Sequence, residues 1–156
     1  MGGVAQRQDP WLDQMESLHP LIVHFPVALL LTAVVLEIVA LLMKRPALHR
    51  VALWNVCLGT LGAAAAVATG LQAQAIGHHT FEIYEVMEVH ERLGITTLTL
   101  GSVVAGWRLL ARDRLGPRQR WLALALMLVM ACTVSYGAYL GGRLVYEFGV
   151  GGTFGR

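Results

Sequence analysis

LHPLIVHFPVALLLTAVVLEIVALLM, residues 18–43, decides the fold. Its only ionisable side chains are His19, His24 and Glu37, and it is longer than the roughly twenty apolar residues that cross a bilayer as a helix. Three further stretches meet the same requirement, at about Val51–Ile76, Val89–Leu110 and Trp121–Leu140. Pro46 follows the first stretch, Gly77 the second, and Gly116-Pro117 separates the third from the fourth. Backbone polar groups in lipid must be satisfied within the segment, so each stretch reads as a helix. The expected fold is all-α, an integral membrane four-helix bundle over residues 18–150. A polar leader, residues 1–17, would lie on the membrane surface or dock on a partner, and residues 151–156 form a short tail.

Composition agrees. Of the 156 residues, 56% are hydrophobic and only 14% are charged. A soluble domain carries about 25% charged residues. The net charge of +2 and the absence of a basic, aromatic-interleaved helix argue against nucleic acid as a partner. Cys57 and Cys132 are isolated and form neither a zinc motif nor a disulfide framework. No Ser-His-Asp arrangement or glycine-rich phosphate loop is placed to work, so the chain does not read as an enzyme in its own right. The leader lacks the usual basic n-region and the first stretch ends in no small-residue cleavage site, so it reads as a retained anchor.

Charge in the short loops sets the orientation. Lys44, Arg45 and Arg50 follow the first span, and Arg108, Arg112, Arg114, Arg118 and Arg120 surround the third loop. Between spans two and three only Arg92 stands against Glu82, Glu85, Glu88 and Glu91. The positive-inside rule then puts loops 1–2 and 3–4 in the cytoplasm and both termini outside. The expected location is the inner membrane of a bacterium.

Five of the six histidines fall at the outer end of this arrangement. His19 and His24 open span one, His78 and His79 close span two, and His90 opens span three. Imidazole is the commonest transition-metal ligand and a standard axial ligand of haem iron. His19 is expected at the helix N-cap. His24 lies about 7.5 Å deeper and about 140° round the helix, so the two do not chelate one ion from a shared face. Pro26 should kink the helix and aim His24 inward. Gly94, one turn beyond His90, leaves room beside that imidazole. His24 and His90 are therefore the expected axial pair, with His19, His78 and His79 as secondary metal candidates. Met15 and Met87 could add thioethers for copper. Arg143 lies on the same side, where a haem propionate, a lipid phosphate or Glu147 could pair with it. His49 is expected in the cytoplasmic loop.

Glu37 needs a partner in the cytoplasmic half of the bundle, with Asn55 or Arg108 in reach. Gln72 and Gln74 could hydrogen-bond a ligand or a histidine. Span two is rich in glycine and alanine, and span four spaces Gly137 and Gly141 four apart, which favours close helix packing. No repeat along the sequence is strong enough to claim an internal duplication.

The string His19-Pro20-x-x-x-His24-Phe25-Pro26 resembles the bacterial membrane proteins grouped as domain-of-unknown-function family 2231. So do Thr69-Gly70, His90, and the tail Gly141-Gly142-x-Leu144-Val145-Tyr146-x-x-Gly149-Val150. The resemblance covers about Leu18 to Gly151. It implies a four-helix membrane domain, similar to domains found fused to or encoded beside Rieske iron–sulfur and cytochrome c modules, and hence redox work. The chain has no Cys-x-x-Cys-His or iron–sulfur ligands of its own, so such a partner would be a separate chain. His78-His79 is outside the pattern.

Three functions compete at this stage. The leading expectation is a cytochrome b-like electron-transfer or anchor subunit holding haem b. The alternatives are a histidine-rich membrane protein binding copper, iron or zinc, and a structural subunit of a membrane complex.

Overall fold

The computed structural model describes residues 10–76 and 80–150. Four helices make up almost all of it: α1 (Pro10–Met43), α2 (Pro46–Ile76), α3 (Phe81–Leu110) and α4 (Pro117–Tyr146). Each contains a stretch long and apolar enough to cross a membrane. Pro46 and Pro117 each occupy the first helical position, where the missing N–H costs nothing. The turn before α2 puts Lys44 in the left-handed region at φ 52°. That before α4 puts Arg112 and Asp113 there, at 50° and 54°. At the start of α4 the Gly116 N–H donates to the Gln119 side chain at 2.9 Å.

The helices are longer than the apolar stretches, because backbone hydrogen bonding continues into the polar interface. Two expectations change as a result. α1 begins at Pro10, so His19 lies well inside a helix and is not its N-cap. α2 begins at Pro46, so His49 is helical and not in a loop.

Around the bundle α1 packs on α2, α2 on α3, α3 on α4 and α4 on α1, while α1 and α3 face each other across the axis, as do α2 and α4. The core holds Leu30, Ala33 and Val34 of α1, Val56 of α2, Val104 and Ala105 of α3, and Met127 and Met130 of α4.

This arrangement contains a two-fold relation that the sequence reading did not find. Glu37 and Arg108 are 71 residues apart and meet in the core. The same spacing relates His19 to His90, Pro46 to Pro117, Ala52-Leu53 to Ala123-Leu124, and Gly70 to Gly141. Burial follows it: Ala33, Val34 and Glu37 correspond to Val104, Ala105 and Arg108, and all six are buried. Val56 and Ala63 correspond to the buried Met127 and Val134. Hairpin α1–α2 and hairpin α3–α4 are thus equivalent halves about an axis along the bundle.

The end opposite the histidines is closed by a buried charge cluster drawing on all four helices. Arg108 Nη1 donates to Glu37 Oε2 at 3.0 Å, its Nε to Asp113 Oδ1 at 3.0 Å and its Nη2 to the His49 carbonyl at 2.7 Å. His49 Nδ1–H donates to Glu37 Oε1 at 2.9 Å. Arg120 Nη2 donates to the Asp113 carbonyl at 2.9 Å, and its Nη1 lies 3.6 Å from both Glu37 and Asp113. Glu37 and Arg108 are fully buried. Arg108 is therefore Glu37's partner, and Asn55 instead donates to the Val51 carbonyl of its own helix. Arg108 and Arg120, counted above with the loop charges, are tied into this cluster.

Candidate functional site

The other end of the bundle holds a cavity of about 760 Å³ between the four helices. That is within the range of small-molecule and cofactor sites, about 300–1,000 Å³. Its wall is mostly aliphatic, with His19, His24, Gln74, His90, Glu91, Thr97 and Thr133 as the polar or ionisable side chains besides Tyr146. Thr133 donates to the Met130 carbonyl at 2.9 Å and accepts from Thr97 at 2.9 Å, so the floor is internally satisfied.

His19 and His90 come from diagonal helices and meet across the cavity. Their ring centroids are 6.2 Å apart and their planes stand at 88°. Each ring is held by the helix that follows its own. His90 Nδ1–H donates to the Gly137 carbonyl of α4 at 2.8 Å. His19 Nδ1 lies 3.1 Å from the Thr69 hydroxyl of α2. Thr69 donates its one proton to the Ala65 or Ala66 carbonyl, both at 3.0 Å, so its oxygen accepts from His19 Nδ1–H. Both hydrogen bonds place the proton on Nδ1 and leave the Nε2 lone pair as the basic position of each ring.

The glycines make this approach possible. A Cβ on Gly70 would stand 3.0 Å from His19 Cε1, and one on Gly141 would stand 3.1 Å from His90 Cε1. These contacts are two-fold counterparts. The strings that carry the family resemblance, His19, Thr69-Gly70, His90 and the Gly141–Val150 tail, thus converge on one cavity.

The other sequence candidates fall as follows. His24 lines the same cavity but is exposed on α1. Gly94 and Met87 line it beside His90. Arg143 lies outside it and pairs with Glu147 at 2.8 Å. Glu91 faces the cavity, and Arg92 pairs with Glu88 at 2.6 Å rather than with Glu91. Gln74 lines the cavity, whereas Gln72 is exposed. His78 and His79 lie outside the described residues, as does the side chain of Met15. Among the described residues no three metal-ligating side chains cluster. Thr69 and Gly137, which orient the imidazoles, entered the sequence reading only through the family resemblance and through helix packing. Under the 71-residue spacing Thr69 corresponds to Leu140 and Gly137 to Ala66, so the two hydrogen-bond partners are not counterparts and the sequence carried no signal for that role.

Fold and site together define a four-helix membrane protein with a diagonal pair of oriented imidazoles at one end. The chain belongs to the family described as predicted membrane protein DUF2231, whose model matches residues 15–153. No curated protein and no solved structure matches it.

Proposed function

We propose that the chain is a cytochrome b-like electron-transfer or anchor subunit of a bacterial plasma membrane, holding one haem b between His19 and His90 near the outer face. The observation that carries this reading is the imidazole pair. A metal bound by two imidazole nitrogens at ~2.0 Å each separates the ring centroids by roughly 6 Å, and the rings stand 6.2 Å apart. Hydrogen bonds at Nδ1 orient both rings, as is usual for metal-ligating histidine. The glycine cradles seat the two imidazoles, and the aliphatic wall suits a flat, apolar macrocycle. Haem iron would need only two ligands from the protein, which His19 and His90 would supply, whereas a structural zinc ion takes about four. The sequence reading paired His24 with His90; the ring contact favours His19, and leaves His24 on the cavity wall.

Bound there, haem would supply one-electron redox chemistry. The chain's own contribution is to hold two neutral imidazoles in place and to keep water from the apolar pocket. A single site near one face does not take an electron across the bilayer. It would pass electrons to or from a separate cytochrome c or Rieske-type partner at the outer surface.

The test is the visible spectrum of protein made with ample haem. A low-spin Soret spectrum is expected, lost in His19→Ala and in His90→Ala or replaced by a high-spin five-coordinate one, and kept in His24→Ala. Loss of the low-spin form in His24→Ala with retention in His19→Ala would restore the His24–His90 pairing. Bound copper, iron or zinc without a Soret band would establish the metal-binding alternative, and neither would leave a structural subunit.

A further inference from the structure

The lysines and arginines among the described residues divide by what they meet. At the histidine end Arg92 pairs with Glu88 at 2.6 Å and Arg143 with Glu147 at 2.8 Å. At the opposite end Arg108 and Arg120 turn inward and neutralise Glu37 and Asp113, the only carboxylates there among the described residues. Lys44, Arg45, Arg50, Arg112, Arg114 and Arg118 remain at that end. All six are exposed, and none makes an ion pair among the described residues. The turns that carry most of them are short. Only Lys44 and Arg45 separate α1 from α2, and only residues 111–116 separate α3 from α4. Backbone hydrogen bonds hold both turns, such as Arg45 N–H to the Ala40 carbonyl at 3.0 Å and Asp113 N–H to the Arg108 carbonyl at 2.7 Å. Lys44 and Arg112 occupy left-handed backbone positions that glycine or asparagine would fill with less strain. Apolar side chains face outward next to the cations: Leu42 and Met43 before Lys44, Leu109 and Leu110 before Arg112, Trp121 and Leu122 after Arg118.

We propose that these six cations form a surface that binds the headgroups of anionic phospholipids. The adjoining apolar side chains select a lipid over a soluble anion. They set the cations at the edge of the hydrocarbon, at the depth of the lipid phosphates, and turns this short carry them no further out. A water-soluble acidic partner would have to displace lipid from Leu110 and Trp121 to reach the same charges. Five of the six are arginines, whose planar fork gives a phosphate paired hydrogen bonds as well as charge. Anionic lipid is therefore gathered at this end and not at the histidine end, where Arg92 and Arg143 already hold carboxylates. The binding depends neither on the haem reading nor on which side of the membrane this end faces.

The experiment uses the full chain carrying Trp11→Phe, in vesicles of phosphatidylcholine mixed with phosphatidylglycerol. Trp54, Trp107 and Trp121, all toward this end of their helices, then report the lipid beside them. Their fluorescence is read with bromine on the acyl chains of one lipid and then of the other. Stronger quenching by brominated phosphatidylglycerol is expected, equivalent to about a fivefold preference at low salt, the worth of one cation at a lipid surface. Raising the salt to about 1 M should erase it, because the Debye length falls to about 3 Å. At equal ionic strength, inorganic phosphate should compete no better than chloride. Lys44→Gln/Arg45→Gln/Arg50→Gln and Arg112→Gln/Arg114→Gln/Arg118→Gln should each remove roughly half of the preference. Both should fold, because exposed cations without ion pairs hold nothing in place. Arg92→Gln/Arg143→Gln should leave the preference unchanged. A preference that persists in both triple variants or at high salt, or that phosphate abolishes where chloride does not, would overturn the lipid site. Equal quenching by the two lipids would also overturn it and leave the cations to a soluble acidic partner.

Discussion

Replacing Arg108 by methionine removes three hydrogen bonds from a fully buried guanidinium, to Glu37, Asp113 and the His49 carbonyl. The methionine fills similar space, so the effect is electrostatic. In the parent, Glu37 and Asp113 balance Arg108 and Arg120. In Arg108→Met one carboxylate charge is left uncompensated beside a Glu37 that is 0% exposed. Removing one member of a buried ion pair costs about 3–5 kcal/mol. At about 2–4 °C per kcal/mol for a chain of this size, the apparent melting temperature should fall by roughly 6–20 °C. Glu37→Leu leaves an unbalanced arginine and should cost a similar amount. The double variant Glu37→Leu/Arg108→Met leaves only the Asp113–Arg120 pair and should be more stable than either single variant. Thermal unfolding of the three proteins in one detergent measures this. If the double variant loses the sum of the two single losses, the pair is not coupled and the cluster does not close the bundle end.

Three other outcomes follow from the fold. Gly70→Leu and Gly141→Leu should each push an imidazole out of its cradle, at about 1–3 kcal/mol of overpacking, and both should lose any low-spin spectrum. Unchanged stability and spectrum in both would show that the cradles are not tight. Thr69→Val should cost about 1 kcal/mol and weaken ligand binding through His19 while leaving His90 in place; equal binding in the variant would remove Thr69 from the site. Reporter fusions at Arg114 and Glu82 should report opposite sides of the membrane, with Arg114 cytoplasmic; the reverse result would move the histidines to the cytoplasm.

The four helices were legible because runs of leucine, valine and alanine longer than a bilayer leave the backbone no other choice. That His19, His24 and His90 share one end was legible from antiparallel order alone. Which of His19 and His24 has its ring beside His90 was not, because that depends on how α1 is rotated about its axis, where Phe25 and Pro26 pack on Gly62 and His19 on Gly70. His49 and Arg120 read as loop charges because Pro46 and Pro117 looked like helix stops, whereas each starts the next helix. The duplication was hidden because few identities survive between the halves. What survives is burial at constant spacing, which becomes evident only once Glu37 and Arg108 are seen to touch.

That contact also bears on how the chain finds its own halves. About a two-fold axis, equal hairpins would set glutamate against glutamate or arginine against arginine. The bundle instead sets Glu37 against Arg108, so each hairpin is matched to the other and repelled by a copy of itself. During synthesis, α1–α2 enters the membrane first, with His49 of its own hairpin as the hydrogen-bond partner of the Glu37 carboxylate. Its second partner, Arg108, arrives only with the third helix. The first arginine to reach it comes from the chain to which it is already tethered.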